Sequence, residues 1–384
     1  MHTIIPSGPA AALPCGMHKS QNRQRGMTLL ELTVVLMILV TLATVALRST
    51  AGLQDQAPFE ATTRQLTEFH AAVAGDAAAS FNDQRLLSGY VVNNGLLPTA
   101  LADLTSIPTN YDAFGAISAK FDSNSATDGI NDGVGAETTL NETRQTLYKG
   151  YRGNGYIRLP IGATTSQDGW GNNWDESGTT ATTFLPKSLG ADNAAGSSGG
   201  IYDPDLSDPV FPGDWRLDMA GWSVTVENMS GIDISSSSGP PAQCLRASLL
   251  VYINNGNSPA DDLNWKRLTS DCIPGNTGTG SCLDGDGDNL VGGNPCPATV
   301  SIAFPAAGGG VGAYQPPTDI PQGEHLLVLV SDSDATDAHN DASESVYFRD
   351  LDSDATKDAD EPYVTTRVQF FARRNPPGTK LTIR

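Results

Sequence analysis

Five acidic residues near the C-terminus follow the spacing of a calcium-binding loop. In "DLDSDATKDADE" (350–361), loop positions 1, 3, 5, 9 and 12 are Asp350, Asp352, Asp354, Asp358 and Glu361. Calcium takes oxygen ligands, and alternating residues of a twelve-residue loop converge on one ion. The sixth position is Ala355, where an EF-hand has glycine for its sharp turn. We predict a structural calcium site here, the alternative being a solvated acidic loop.

Three other acidic segments are weaker candidates for the same chemistry. They are "DSDATDAHNDASE" (332–344), "DSNSATDGINDG" (122–133) and "DGDGDNLVGG" (284–293), the last of which offers Asp284, Asp286 and Asp288. Residues 331–361 hold 11 acids against only Arg349 and Lys357. Uncompensated carboxylates at this density repel one another, which favours a bound cation in at least one loop.

Four of the five cysteines lie close together in the C-terminal half: Cys244, Cys272, Cys282 and Cys296. Beyond a membrane segment, such a cluster is typical of two disulfides in an oxidising compartment. A zinc site is the weaker alternative, because there is no CxxC pair and no histidine nearby. Cys244–Cys272 with Cys282–Cys296 is the simplest of the three pairings that four cysteines allow.

Enzymatic and nucleic-acid-binding functions find little support in the sequence. There is no P-loop or dinucleotide fingerprint, and His70, His325 and His339 lie far apart without a metal-ligand pattern. Gly196–Gly200 fits G-x-S-x-G literally, but nothing around it predicts the strand and helix of a nucleophile elbow. The net charge of −20 argues against nucleic acid as a partner. We predict a protein that is not an enzyme.

An apolar run near the N-terminus contains one acid. Within "RGMTLLELTVVLMILV" (25–40) and on to Leu47, the only charge after Met27 is Glu31. As a helix rising ~1.5 Å per residue, Met27–Leu47 would span a hydrocarbon core of roughly 30 Å. The basic leader before it favours a cytoplasmic N-terminus and a periplasmic remainder. An acid costs about 2.5–3.5 kcal/mol at the bilayer centre, so Glu31 calls for a compensating partner.

A basic leader, Gly26, the hydrophobic Met27 and an acid at the fifth position after the glycine resemble the signal of type IV pilins and type II secretion pseudopilins. The resemblance implies cleavage after Gly26 by prepilin peptidase and N-methylation of Met27. It also implies that the helices of several pilin subunits pack into a filament core. Glu31 would there neutralise the α-amino group of a neighbouring subunit's Met27, since two costly charges compensate when they meet. A start at Met17 would give the ten-residue leader typical of that family.

A second resemblance lies in the middle of the chain. Asp168-Gly169-Trp170-Gly171-Asn172 is similar to the D-x-W-G-N signature of major pseudopilins, although Gly169 stands where that family usually has proline. Asn94-Gly95 with Leu97-Pro98 resembles their upstream N-G-x-x-P element. The resemblance implies a turn between strands, with the tryptophan packed in the head. The residues themselves predict a Gly/Asn turn holding one buried tryptophan.

The elements between these motifs are predicted from periodicity. An apolar stripe (Leu53, Phe59, Leu66, Phe69, Val73 and Ala77) extends the first helix to about residue 82. A short helix is predicted at Ala100–Leu104. Six strand-like runs follow in the C-terminal half: "GWSVTVEN", "CLRASLLVYIN", "ATVSIAFP", "GEHLLVLVSD", "ESVYFRD" and "VTTRVQFFARR".

The predicted fold class is α+β, with a long N-terminal helix and a small antiparallel β head, followed by an all-β, sandwich-like domain. The predicted divisions are a leader (1–26), the helix (27–82, with 27–47 transmembrane), the head (83–188), a flexible linker (189–209) and the β-domain (210–384). The expected function is that of a minor pilin or pseudopilin, which starts in the inner membrane and is then incorporated into a filament. The alternative is a calcium-dependent adhesin or binding module that the filament displays.

Overall fold

A computed structural model describes most of the chain after the leader. The described residues are 28–76, 78–81, 84–109, 111, 113–115, 117–118, 120–122, 137–139, 147–160, 163, 165–196, 199–235, 244–254, 265–273, 281–304, 319–332, 344–348 and 361–384. By its contacts the chain divides into two units, one ending at Gln54 and the other comprising Asp55–Arg384.

The described residues form an α+β protein, as predicted. The helices are α1 Leu29–Ala74, α2 Tyr90–Asn94, a 3-10 helix Leu101–Leu104, and α3 Pro212–Trp215. The strands up to residue 218 are β1 Ser80–Phe81, β2 Gln84–Arg85, β3 Ile117–Ser118, β4 Lys120–Asp122, β5 Glu137–Thr139, β6 Tyr148–Lys149, β7 Lys187–Ser188, β8 Leu206–Ser207 and β9 Arg216–Asp218. The later strands are β10 Trp222–Asn228, β11 Ile234–Ser235, β12 Cys244–Tyr252, β13 Trp265–Thr269, β14 Cys282–Leu283, β15 Leu290–Val291, β16 Asn294–Pro295, β17 Thr299–Phe304, β18 Asp319–Pro321, β19 Gly323–Asp332, β20 Glu344–Val346, β21 Thr365–Phe370 and β22 Thr379–Ile383.

Helix α1 ends earlier than its apolar stripe indicates. It stops at Ala74, whereas the sequence predicts an end near residue 82. The next residue, Gly75, has a φ of 81°, and a Cβ there would lie 2.3 Å from the backbone oxygen of Ser88. Glycine therefore ends the helix in a left-handed conformation and lets the chain return closely against itself.

The second half of α1 supplies one wall of the head. Leu66, Phe69 and Val73 are buried one to two turns apart and share a core with the short elements that follow. Their partners in this core include Tyr90, Val91, Leu97, Leu101, Leu104, Tyr151, Trp174, Phe184, Val210 and Trp215. The predicted packing of this stripe on the head is confirmed, and so is the short helix before residue 105.

Two sheets form the C-terminal layers. The larger has the order β13-β12-β19-β20, with β21 also pairing with β19, and all its pairs are antiparallel. The smaller has the order β17-β10-β22, in which β10 and β22 run parallel. One apolar cluster takes residues from both sheets, as expected of a sandwich. All six predicted runs contain strands, whereas β13 ("WKRLT") and β22 ("TKLTI") were missed because charged residues interrupt their apolar pattern.

The larger sheet is also buried on its other face. Every residue of β12 is buried, and a separate cluster forms there from Leu250, Tyr252, Leu326, Val328, Val330 and Val346, together with Leu147 of the head. Burial on both faces explains why "LLVY" and "LLVLV" are continuous apolar runs without the alternation of a one-sided strand. The head, the larger sheet and the smaller sheet are thus three successive layers.

Backbone contacts join the head to the larger sheet. The Asn254 N–H donates to the Asn94 carbonyl at 2.9 Å. Gly95 has a φ of 74°, and a Cβ there would lie 1.9 Å from the Tyr252 carbonyl oxygen. The buried Lys149 ammonium donates to the Val92 carbonyl at 2.8 Å. These contacts leave no room between the layers for a sliding interface.

The segment 189–209 is not the flexible linker that its composition predicts. Strands β7 and β8 pair at its two ends, and Phe184 exchanges backbone hydrogen bonds with Val210 just outside them. The Lys187 ammonium lies 3.2 Å from Asp175 and 3.3 Å from Asp205, so the returning chain is also held by charge. Small polar residues fit a closed surface loop as well as they fit a linker, which is why composition alone was misleading.

Gly95→Ala tests how closely the head and the larger sheet approach. Gly231 is the matched control, because it has the same φ of 74° but nothing within 4 Å of the position of a Cβ. We expect Gly95→Ala to lower the free energy of unfolding by about 1–3 kcal/mol more than Gly231→Ala, since only the former meets backbone. Chemical denaturation of the full chain in detergent measures this, and equal losses would contradict the described junction.

A buried histidine makes this region sensitive to acid. His325 on β19 is 1% exposed, and its Nε2 lies 2.9 Å from the Pro321 carbonyl oxygen. Burial, and secondly the nearby Lys149, lower the pKa of His325 to about 3. Burial also lowers the pKa of Lys149 to about 8, against the opposing charge of Glu324. Between about pH 3 and 6.5, the unfolded chain therefore binds a proton at His325 that the folded chain does not bind.

His325→Gln tests this acid sensitivity. The depressed pKa makes stability complete above about pH 6.5 and lost progressively as the pH falls toward 3. Between pH 7 and 5 we expect the wild type to lose roughly 2 kcal/mol more of its unfolding free energy than His325→Gln, which has no titrating ring. Parallel pH profiles of the two chains in chemical denaturation would show that His325 is not the group responsible.

Candidate functional site

The first turn of α1 is closed by a reciprocal pair of hydrogen bonds. The Thr28 N–H donates to Glu31 Oε2 at 3.0 Å, and the Glu31 N–H donates to Thr28 Oγ1 at 3.3 Å. This is a capping box, which satisfies donors that a helix start otherwise leaves open. Glu31 thus has a role within its own chain that the sequence analysis missed, although the spacing T-x-x-E in "TLLE" is the signature of this motif.

Glu31 keeps one oxygen for another partner. Its side chain is exposed, and Oε1 accepts no hydrogen bond from any described residue. Gly26 and Met27, the predicted processing residues, lie outside the described residues.

The helix after Glu31 has an apolar surface that nothing in its own unit covers. Leu29–Ala46 is exposed throughout, with Leu29 at 81%, and in the described part of the chain it is the helix long and apolar enough to cross a membrane. Its hydroxyls are internally satisfied: Thr33, Thr41 and Thr44 each donate to a helix carbonyl three or four residues earlier. A surface of this kind is suited to hydrocarbon or to other apolar helices, and Glu31 is its one charge.

The Asp168–Asn172 turn is held by its first residue and docks on α1. The buried Asp168 accepts hydrogen bonds from the Trp170 and Asn172 N–H groups at 3.0 and 2.8 Å, and from the Ser188 hydroxyl at 2.7 Å. A Cβ on Gly169 would lie 2.0 Å from the Pro58 carbonyl oxygen, so glycine is what allows this approach. The predicted turn is present and serves packing.

The buried tryptophan expected in this turn lies four residues later. Trp170 is only half-buried, whereas Trp174 is buried and packs edge-on against Phe69 at a centroid distance of 5.0 Å. The Asp168–Asn172 run thus orients the chain so that Trp174, outside the motif, enters the core of the head.

The cysteines form the predicted pairs. Cys244–Cys272 joins Cα atoms 5.5 Å apart, and Cys282–Cys296 joins Cα atoms 6.0 Å apart. Both distances are ordinary for disulfides. With all four sulfurs paired, these cysteines are not zinc ligands in this structure.

The predicted calcium loop falls mostly outside the described residues. Asp350, Asp352, Asp354 and Asp358 are not described, while Glu361 is buried at 2% exposure. A calcium site at 350–361 therefore stays a prediction.

A different acidic group is brought together in the structure. Asp233, Asp284 and Asp286 each place a carboxylate oxygen within 4.8 Å of the other two. The sequence analysis named Asp284 and Asp286 but grouped them with Asp288, which is not part of this cluster. It missed Asp233 because only strand pairing brings that residue close.

One comparison with known families matches the start of the chain. The family described as the prokaryotic N-terminal methylation motif matches residues 21–47. The chain carries a prepilin-type signal. The matched segment includes Gly26, Met27 and Glu31, and it supports a pilin-like protein that is processed as a prepilin and anchored by its apolar helix. No curated protein and no solved structure matches the chain.

Proposed function

We propose that this protein is a minor pilin or pseudopilin, a subunit of a type IV pilus or of a type II secretion pseudopilus. Prepilin peptidase would cut it after Gly26, and Met27 would then be methylated. The observation that carries the proposal is the coincidence of the methylation motif at 21–47 with the exposed apolar helix Leu29–Ala46, whose hydroxyls are internally satisfied. Such a helix is ready to leave lipid for a bundle of similar helices.

In this proposal the precursor crosses the inner membrane once before assembly. The basic leader stays in the cytoplasm, and the remainder reaches the periplasm. Two disulfides in the C-terminal half fit that oxidising compartment. The partners are the other pilin or pseudopilin subunits and prepilin peptidase.

Glu31 would act in two contacts during assembly. Its Oε2 closes the first turn with the Thr28 N–H, and its Oε1 is open to a second donor. The proposed second donor is the α-amino group of a neighbouring subunit's Met27. Pairing the two charges removes the cost of holding either one alone in an apolar core, and it fixes the axial register between helices.

The size of the other unit favours a minor subunit over a major one. Asp55–Arg384 is a single compact unit of three packed layers. Repeating so large a body at every position of a narrow shaft would crowd the filament surface. A rare position, such as the tip, accommodates it more easily.

An adhesin or binding module displayed by the filament is the competing function. The cluster of Asp233, Asp284 and Asp286 favours it, because an exposed cation can complete a ligand site. Loss of calcium-dependent adherence from cells whose filaments still contain the subunit would favour this second function.

Glu31→Gln separates the charge of Glu31 from its capping role. Glutamine can replace glutamate in a capping box, so the helix start is retained while the charge is removed. We expect the variant to be cut after Gly26 and to remain in membranes, but to fall at least about tenfold in sheared filaments, as loss of roughly 1.4 kcal/mol or more would produce. Immunoblots of the two fractions measure the ratio.

Thr28→Ala is the matched control, since it removes one capping hydrogen bond and keeps the charge. We expect it to enter filaments at close to the wild-type level. Normal incorporation of Glu31→Gln, with or without a defect in Thr28→Ala, would contradict the proposed pairing and reduce Glu31 to a helix cap.

A further inference from the structure

Two chain segments of the C-terminal layers meet at a short antiparallel pair. Strand β11 pairs with β14 in the register Ile234 opposite Leu283 and Ser235 opposite Cys282. Continuing that register by one residue places Asp233 opposite Asp284, and Asp286 follows two residues later. Like charges opposite one another in a strand pair are destabilising, so this arrangement needs compensation.

The three carboxylates are close enough to share one ion. One oxygen of each lies within 4.8 Å of the others. Calcium binds oxygens at about 2.3–2.6 Å, so two ligands on opposite sides of the ion can be up to about 5 Å apart. In the described part of the chain, no Lys or Arg nitrogen lies within 4 Å of these carboxylates, and no protein cation there neutralises them.

The central carboxylate is fully buried and only half satisfied. Asp284 is 0% exposed, and its Oδ1 accepts a hydrogen bond from the Gly287 N–H at 3.1 Å. Its Oδ2 is buried and has no hydrogen-bond partner among the described residues. A buried carboxylate oxygen without a donor is strongly unfavourable, and it faces two further acids here. This oxygen is independent evidence that the group has a ligand.

The surrounding contacts hold the acids together. The Gly285 N–H donates to Asp233 Oδ1 at 3.2 Å, and a Cβ on Gly285 would lie 2.1 Å from the Ile232 carbonyl oxygen. Buried Asn228 donates to the Ile232 carbonyl at 2.9 Å and to the Leu283 carbonyl at 3.3 Å. The Cys282–Cys296 disulfide closes the loop that carries Asp284 and Asp286. Free acidic loops move apart, whereas these carboxylates are fixed next to each other.

We propose that Asp233, Asp284 and Asp286 bind one Ca²⁺, which links the β10–β11 connection to the disulfide-closed loop. Three carboxylates without a histidine or thiolate form a hard oxygen set of charge −3, which suits calcium and not zinc. Water and backbone carbonyls would complete the coordination. This site is separate from the loop 350–361 and does not depend on the proposed filament function.

The test uses the full chain in detergent, stripped of metal with EGTA, and the variants Asp284→Asn and Asp286→Asn. Asp288→Asn is the matched control, since it makes the same change in the same loop outside the cluster. At calcium concentrations about a hundred times Kd, we expect the wild type and the control to gain about 5–10 °C in Tm. We expect each cluster variant to bind one fewer calcium in titration calorimetry, or to bind it at least about tenfold more weakly.

A second readout separates ligation from a merely structural role. In EGTA, Asp284→Asn should melt at or above the wild-type temperature, because it removes repulsion and keeps an acceptor for the Gly287 N–H. With calcium the order should reverse. If Asp284→Asn does not fold, the exposed Asp286→Asn carries the test. Wild-type calcium stoichiometry in the cluster variants, an equal loss in Asp288→Asn, or no response of the wild type to calcium would overturn the proposal.

Discussion

The larger C-terminal sheet is shielded from water on both faces, and the arrangement of residues 55–384 depends on that burial. Strand β12 is buried at every position, so the sheet needs one apolar layer above it and another below. The smaller sheet supplies the first layer through the shared cluster around Leu249, and the head supplies the second with Leu147. Removing either layer would expose a continuous apolar surface, so the head and the β-layers form one unit.

The other unit has the opposite character. Leu29–Ala46 keeps its apolar side chains outward, and its threonine hydroxyls donate to its own backbone, so its surface calls for an apolar environment. Glu31 is compatible with that environment because one carboxylate oxygen is used at the helix start while the other is open to a partner. The methylation motif matches this same segment, which places the inferred assembly chemistry at the beginning of the chain.

Local patterns predicted local structure well. The apolar runs of β12 and β19, the stripe of Leu66, Phe69 and Val73, and the pairing of neighbouring cysteines needed only spacing and composition. Features that depend on distant contacts were wrong or missed. The helix ends at Gly75 because Ser88 returns against it, the segment 189–209 is closed by a strand pair, and Asp233 joins Asp284 only through the pairing of β11 with β14. None of these contacts leaves a pattern within its own stretch of sequence.

Intact mass with N-terminal peptide sequencing, on protein recovered from sheared surface filaments and from membranes, tests the central claim most directly. The account predicts that the filament fraction contains a chain beginning at Met27 with a methylated α-amino group, and that both disulfides are intact. A chain that retains residues before Met27 and is confined to membranes, in cells with active prepilin peptidase, would contradict it.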